Sequence, residues 1–338
     1  AKNPGNITYT AQWTTATVVE LTEADLNTLT YVPATKFVSP NFTSGKYSIN
    51  NVEYEYGVNA FSSISAALAA SSSNDVIYAF AGTYSDALTI STSDISIYGP
   101  NFNVDGTETR NAEAVISNAV TINASNVVIN GVKLTGTSTS VTFGNVSNIT
   151  IANVYSDAYK STTYGSNTYP ITFFSQSNVS DLVIKNSLIK ANLSGTADYR
   201  PFYLNGGTVT NLIIANNYVD NVDVTNGVAI GVYSTAGVFK IVNNTFNFQS
   251  GNNTFYLGYT SNKCTEIWIK DNYFTSDQAS TPKVATISVF NLTAGVAYLV
   301  GNTFEYCTGG NTFNFAGSTS AINVKYNYFK DCTYKLTN

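Results

Sequence analysis

Residues 212–218 read LIIANNY, and close variants return at 239–245 (FKIVNNT), 267–273 (IWIKDNY), 297–303 (AYLVGNT) and 322–328 (INVKYNY). Each copy is an apolar residue, a variable one, a second apolar residue, a variable one, then Asn, Asp, Gly or Tyr, and finally Asn. Residues i and i+2 of a strand point to one face, so each copy is a short strand with a single buried face. Looser copies stand at Ile95/Ile97, Val127/Ile129, Ile149/Ile151 and Leu182/Ile184. Between Ile129 and Val324 the second apolar residue recurs at spacings of 22, 33, 30, 27, 28, 30 and 25 residues.

A period of roughly 28 residues is too short for a free-standing domain, so each copy must bury its face against its neighbours in a stack. Apolar series at i, i+3, i+4 are few, and Val, Ile, Thr, Tyr and Phe dominate, which excludes a helical solenoid. The expected fold is all-β, a parallel β-helix of about nine or ten coils with adjacent rungs about 4.8 Å apart. A second strand precedes each main one, at Ile171/Phe173, Phe202/Leu204, Phe255/Leu257, Ile287/Val289 and Phe313/Phe315. Asn217, Asn244, Asn272, Asn302 and Asn327 share one column, where Asn suits a left-handed bend and stacked amides can bond along the axis. Two places on, Phe246, Phe274, Phe304 and Phe329 form an aromatic column.

The 338 residues fit one elongated domain with an N-terminal cap better than two compact ones. Charged residues make up 11%, the net charge is −5, and Arg110 and Arg200 are the only arginines, so nucleic acid and anionic membrane surfaces are not expected partners. No apolar run reaches the ~18 residues of a membrane span, so no membrane insertion is expected. The absence of Met, even at position 1, points to a mature or excised piece of a longer protein. Low charge with abundant Asn, Thr, Ser and Tyr fits an extracellular location. Cys307 and Cys332 fall at matching places in successive copies, within disulfide reach across a rung, whether as stacked thiols or as a bond. Cys264 has no partner in register.

Residues 1–13, through Tyr9, Ala11 and Trp13, resemble the closing strand of the Listeria-Bacteroides repeat of internalin-like bacterial surface proteins. Residues 14–75 read as a linker and cap. They include a candidate short helix at Thr22–Leu29 and a second at Phe61–Ala70, where Phe61, Ile64 and Leu68 sit at helical spacing. From residue 76 onward, Gly82, Tyr84 and Asp86 with NVVINGVKLTG at 126–136 resemble the pectin-lyase-like right-handed β-helix. That resemblance implies the handedness and implies no one activity, since the fold carries lyases, hydrolases and passive surface proteins.

The polygalacturonase-like motif set is absent, and with no His one of its members cannot be built. A pectate-lyase-like arrangement needs an arginine base beside a calcium site, for which Arg200 has Asp198 nearby in sequence. Four positions past the bend column, Asp157, Lys190, Asp220, Asn247, Thr275, Glu305 and Lys330 line up either as a solvated ion-pair ladder or as a source of catalytic carboxylates. The long bends at 155–170 and 190–201 bring Tyr155, Tyr159, Lys160 and Tyr199 into a region suited to a polysaccharide or cell-surface glycan, whose pyranose faces stack on aromatic rings. The expectation is therefore a non-catalytic extracellular module, a stalk, adhesin or self-assembling subunit without a cofactor. The alternative is a polysaccharide lyase or glycoside hydrolase using Asp157, Asp198 or Arg200, with calcium. After the last copy only KDCTYKLTN remains, so end-to-end self-association or further domains are expected there.

Overall fold

In the computed structural model the described residues are 18–20, 34–49, 52–164, 167–190, 198–221, 226–227, 230–248, 251–258, 263–275, 285–305, 313–314, 319–332 and 336–337. The sequence expectations at Thr22–Leu29, at Tyr9–Trp13 and at Cys307 lie outside them. The chain runs through three long sheets in turn and then repeats the circuit, with each strand parallel to its counterpart one coil earlier. This is the arrangement of a parallel β-solenoid. Sheet one carries the repeated apolar pair, from Ser96–Tyr98 through Val127–Asn130 and Val179–Lys185 to Ala321–Lys325. Sheet two follows directly after each bend, as in Tyr155–Ala158, Tyr218–Asn221 and Tyr328–Lys330. Sheet three holds the preceding strands, among them Val141–Phe143, Asn167–Ser175, Asp198–Leu204 and Gly251–Leu257.

The apolar columns lie where their alternation places them. Ile151, Ile184, Ile214, Ile241, Ile269 and Leu299 are stacked inside the coil, each no more than 1% exposed. Phe246, Phe274, Phe304 and Phe329 stack with ring centroids 5.3, 4.8 and 5.0 Å apart. Burial of such side chains stabilises by roughly 1.5–3 kcal/mol each, and that burial along the axis is what holds the coils together.

Three register details differ from the sequence reading. Sheet three pairs Phe255 with Phe290 and Leu257 with Leu292, after a bulge between Asn253 and Thr254, so Ile287/Val289 is not the counterpart of Phe255/Leu257. A bulge inserts a residue into one strand, which period counting cannot detect. The left-handed conformation belongs to the residue before the Asn column. Gly131, Asn153, Asn186, Asn216, Asn243, Asp271, Gly301 and Tyr326 all have φ between +52° and +72°. The column Asn217–Asn327 has another task, described below. Phe61 belongs to a strand, Ala60–Phe61, and the helix is shorter than expected at Ile64–Ala69, capped by Ser63 and burying Ile64, Ala67 and Leu68.

The N-terminal segment also contributes to sheet one. Lys36–Val38 pairs in parallel with Val76–Ala79 on one side and with Ala60–Phe61 on the other. Outside this edge Phe37, Phe42, Tyr47, Ile49, Ala60, Tyr78 and Phe80 form a second, smaller core. At the opposite end Ile322, Val324, Tyr326, Tyr328 and Phe329 are 36–87% exposed.

Candidate functional site

The bend between sheets one and two determines what the solvent-facing columns of sheet two can do. From Asn244 onward, each Asn amide accepts from the backbone N–H and the Nδ2 of the Asn one coil earlier, at 2.9–3.0 Å. Its own Nδ2 also donates to a sheet-one carbonyl of the coil before, such as Ile184 for Asn217 and Ile241 for Asn272. These amides are at most 2% exposed from Asn217 to Asn302, so the ladder satisfies buried polar groups that would otherwise destabilise the bend. Ser187 begins it, donating its N–H to Asn217 and accepting from the Val154 N–H.

The charge column of sheet two is in register as expected, with Thr135 beside Asp157, Lys190 beside Asp220, Asp220 beside Asn247 and Glu305 beside Lys330. Asp157, however, makes its ion pair with Lys133, at 3.3 Å, one coil earlier and diagonal to it. Lys133 also brackets the Tyr155 ring together with Lys190, their ammonium groups 4.6 and 5.5 Å from its centroid. Lys330 pairs with Glu305, which also accepts from the Tyr273 hydroxyl. One oxygen of Asp157, Oδ1, is buried without a hydrogen-bond partner.

The residues expected from the two long bends are divided between two sheets. Asp157 and Tyr155 stand on sheet two, while Asp198, Tyr199 and Arg200 belong to a strand of sheet three. Lys160 begins a strand, Lys160–Tyr164, that turns back antiparallel onto Asn167–Ser175. Lys160 is exposed and Tyr159 half-buried. Tyr199 does not offer a ring to solvent: it is fully buried, and its hydroxyl shares a 2.7 Å hydrogen bond with Thr172, which donates to the Ala158 carbonyl. Burial pushes its phenol well above the ordinary tyrosine range. The Arg200 guanidinium lies 3.5 Å from the Tyr169 ring centroid and 4.9 Å from that of Tyr203, and the residue is 9% exposed. The side chain of Asp198 is outside the described set.

Arg110 is also built into the wall. It pairs with Glu113 at 2.6 Å and donates to the carbonyls of Val104, Asn153 and Val132. Among the described residues no group of three or more His, Cys, Asp or Glu is placed to hold a metal ion, and no helix is long and apolar enough to cross a membrane. Cys264 is buried, and burial pushes its thiol up to about 11.

A second left-handed column escaped the sequence reading. Asp94, Asn126, Asn148, Asp181, Asn211 and Gly237 have φ from +53° to +73° just before the apolar pair of the main strand, and each of the first five follows a Ser or Thr. That Ser/Thr-Asn/Asp pair, recurring at Ser125, Ser147, Ser180 and Thr210, was the available signal. No protein-family profile matches this chain, and no curated protein or solved structure matches it.

Proposed function

We propose that this chain is a non-catalytic module of an extracellular bacterial surface protein, a stalk, adhesin or self-assembling subunit that contacts glycans. Its coils are read as a right-handed, pectin-lyase-like β-helix, since parallel crossovers are overwhelmingly right-handed. The observation that carries the proposal is the use of both arginines: Arg110 clamps three carbonyls and Arg200 lies against two tyrosine rings, so each serves the wall. The exposed apolar rung at Ile322–Phe329 supports stacking against further β-structure. The cap is assigned to the helix Ile64–Ala69 together with the aromatic cluster around Phe37.

The buried, unbonded Oδ1 of Asp157 favours a second reading, a polysaccharide lyase or glycoside hydrolase in which this carboxylate acts on a sugar. Acidic and neutral polysaccharides incubated with the protein, with and without calcium, separate the two. The module reading expects retention without new reducing ends or unsaturated products. Turnover by the parent that is abolished in Asp157→Asn overturns it.

A further inference from the structure

At the corner where sheet three turns into sheet one lies a shallow groove of about 600 Å³ that crosses four successive coils. Its floor is Val146 and Val179, 5% and 1% exposed, and its wall is the hydroxyl column Ser125, Ser147, Ser180 and Thr210. Asn145 and Asn178 stand along its rim. No charged side chain lines it.

The rim amides are oriented by the backbone. Asn145 Oδ1 accepts from the Asn178 N–H at 3.1 Å, and Asn178 Oδ1 accepts from the Thr208 N–H at 2.9 Å. Each Nδ2 is thereby left without a protein acceptor among the described residues. The hydroxyls of Ser180 and Thr210 likewise make no hydrogen bond there, whereas Ser125 and Ser147 bond to each other at 3.1 Å. The groove therefore presents donors and hydroxyls in a row, repeated at the rung spacing of about 4.8 Å over an apolar floor. Just beyond Ser180, Asp181 holds Asn211 through one carboxylate oxygen, placing negative charge beside the groove.

From this we infer that the groove is a binding site for one strand of a linear neutral oligosaccharide lying along the solenoid axis. Sugar hydroxyls both donate and accept, which suits amide donors alternating with hydroxyls. An uncharged lining next to Asp181 disfavours uronic acids. The rung spacing is close to the advance of one pyranose unit, so successive coils meet successive sugars. The inference rests on the reading of the chain as a glycan-contacting module and assigns the contact to a different face from the bends at 155–170 and 190–201.

Titration calorimetry of the parent with hexasaccharides of β-1,4-glucose, β-1,4-mannose, β-1,4-xylose and α-1,4-glucose, and with hexagalacturonate, tests it. The expected result is saturable binding of at least one neutral hexasaccharide in preference to the galacturonate, with amide exchange slowed at Asn145–Ser147 and Asn178–Ser180. Affinity should fall by about tenfold in Ser180→Ala/Thr210→Val, which removes two neutral hydrogen bonds without adding bulk. Ser180→Gln, which fills the groove, should weaken it further at unchanged thermal midpoint. A neutral glycan bound equally well by these variants overturns the groove and leaves the module reading standing. Failure of every neutral hexasaccharide to bind the parent overturns the groove, and binding of hexagalacturonate alone overturns the neutral class.

Discussion

The same bend is stabilised in two ways along one solenoid. In the upstream coils the column after the left-handed residue is apolar, Val132 and then Val154, and the bend is covered by the segment 100–113. Within that segment Arg110 donates to the Val132 and Asn153 carbonyls, and the Gly106 N–H donates to Asn186. A Cβ at Gly106 would sit 2.2 Å from the Leu188 nitrogen, so the cover fits because that residue is glycine. Downstream, from Asn217 to Asn327, no such cover is needed, because each coil supplies an amide that satisfies the bend from within. Ser187 stands at the changeover. A coil's backbone geometry does not dictate one sequence solution; it dictates that buried N–H and C=O groups find partners.

Five substitutions, in order of decreasing effect, probe the two ways of holding the bend. Ile241→Asp buries an uncompensated carboxylate beneath the ladder and should cost several kcal/mol, removing the cooperative transition seen by circular dichroism. A variant that melts with the parent would show that the column is not interior. Asn272→Ala leaves the Asn244 N–H and Nδ2 without their acceptor and should lower stability by about 3 kcal/mol in urea titration. A loss below about 0.5 kcal/mol would mean the amides are decoration rather than the downstream means of holding the bend.

Arg110→Leu tests the upstream half. It strands the Asn153 carbonyl and removes the ion pair of Glu113, with an expected loss of about 2 kcal/mol confined to the first coils. Hydrogen exchange should therefore accelerate near Val132 and Asn153 and stay unchanged around Asn272. Uniform acceleration would contradict independent solutions in the two halves. Asp157→Asn removes the ion pair with Lys133, both partners being about a fifth to a quarter exposed, and should cost under about 1 kcal/mol and less at high salt. Tyr326 occupies the left-handed column with φ +58° where other coils use Asn, Asp or Gly, so Tyr326→Asn should raise stability by about 0.5 kcal/mol. No rise in the thermal midpoint would show that the last bend is held by its neighbours instead of by its own residue.

The solenoid was legible in the sequence alone. The i, i+2 apolar pair with its period near 28, the Phe column and the Asn column are strictly local phrases, and stacking identical phrases in register is how each buries its face. The same sequence could not show that the left-handed residue is the one before the column Asn, because Asn-Asn pairs such as Asn216-Asn217 offer two residues of one type for two different tasks. Nor could it place Tyr199 and Arg200 on a different sheet from Asp157. Adjacent bends read as neighbours in sequence, yet they leave the coil on different sheets, and only the strand pairing assigns one residue to the interior and another to the surface. The groove at Ser180 was likewise decided in three dimensions: its lining residues are about 22 to 33 positions apart and each is unremarkable alone, so their meeting depends on the register between coils.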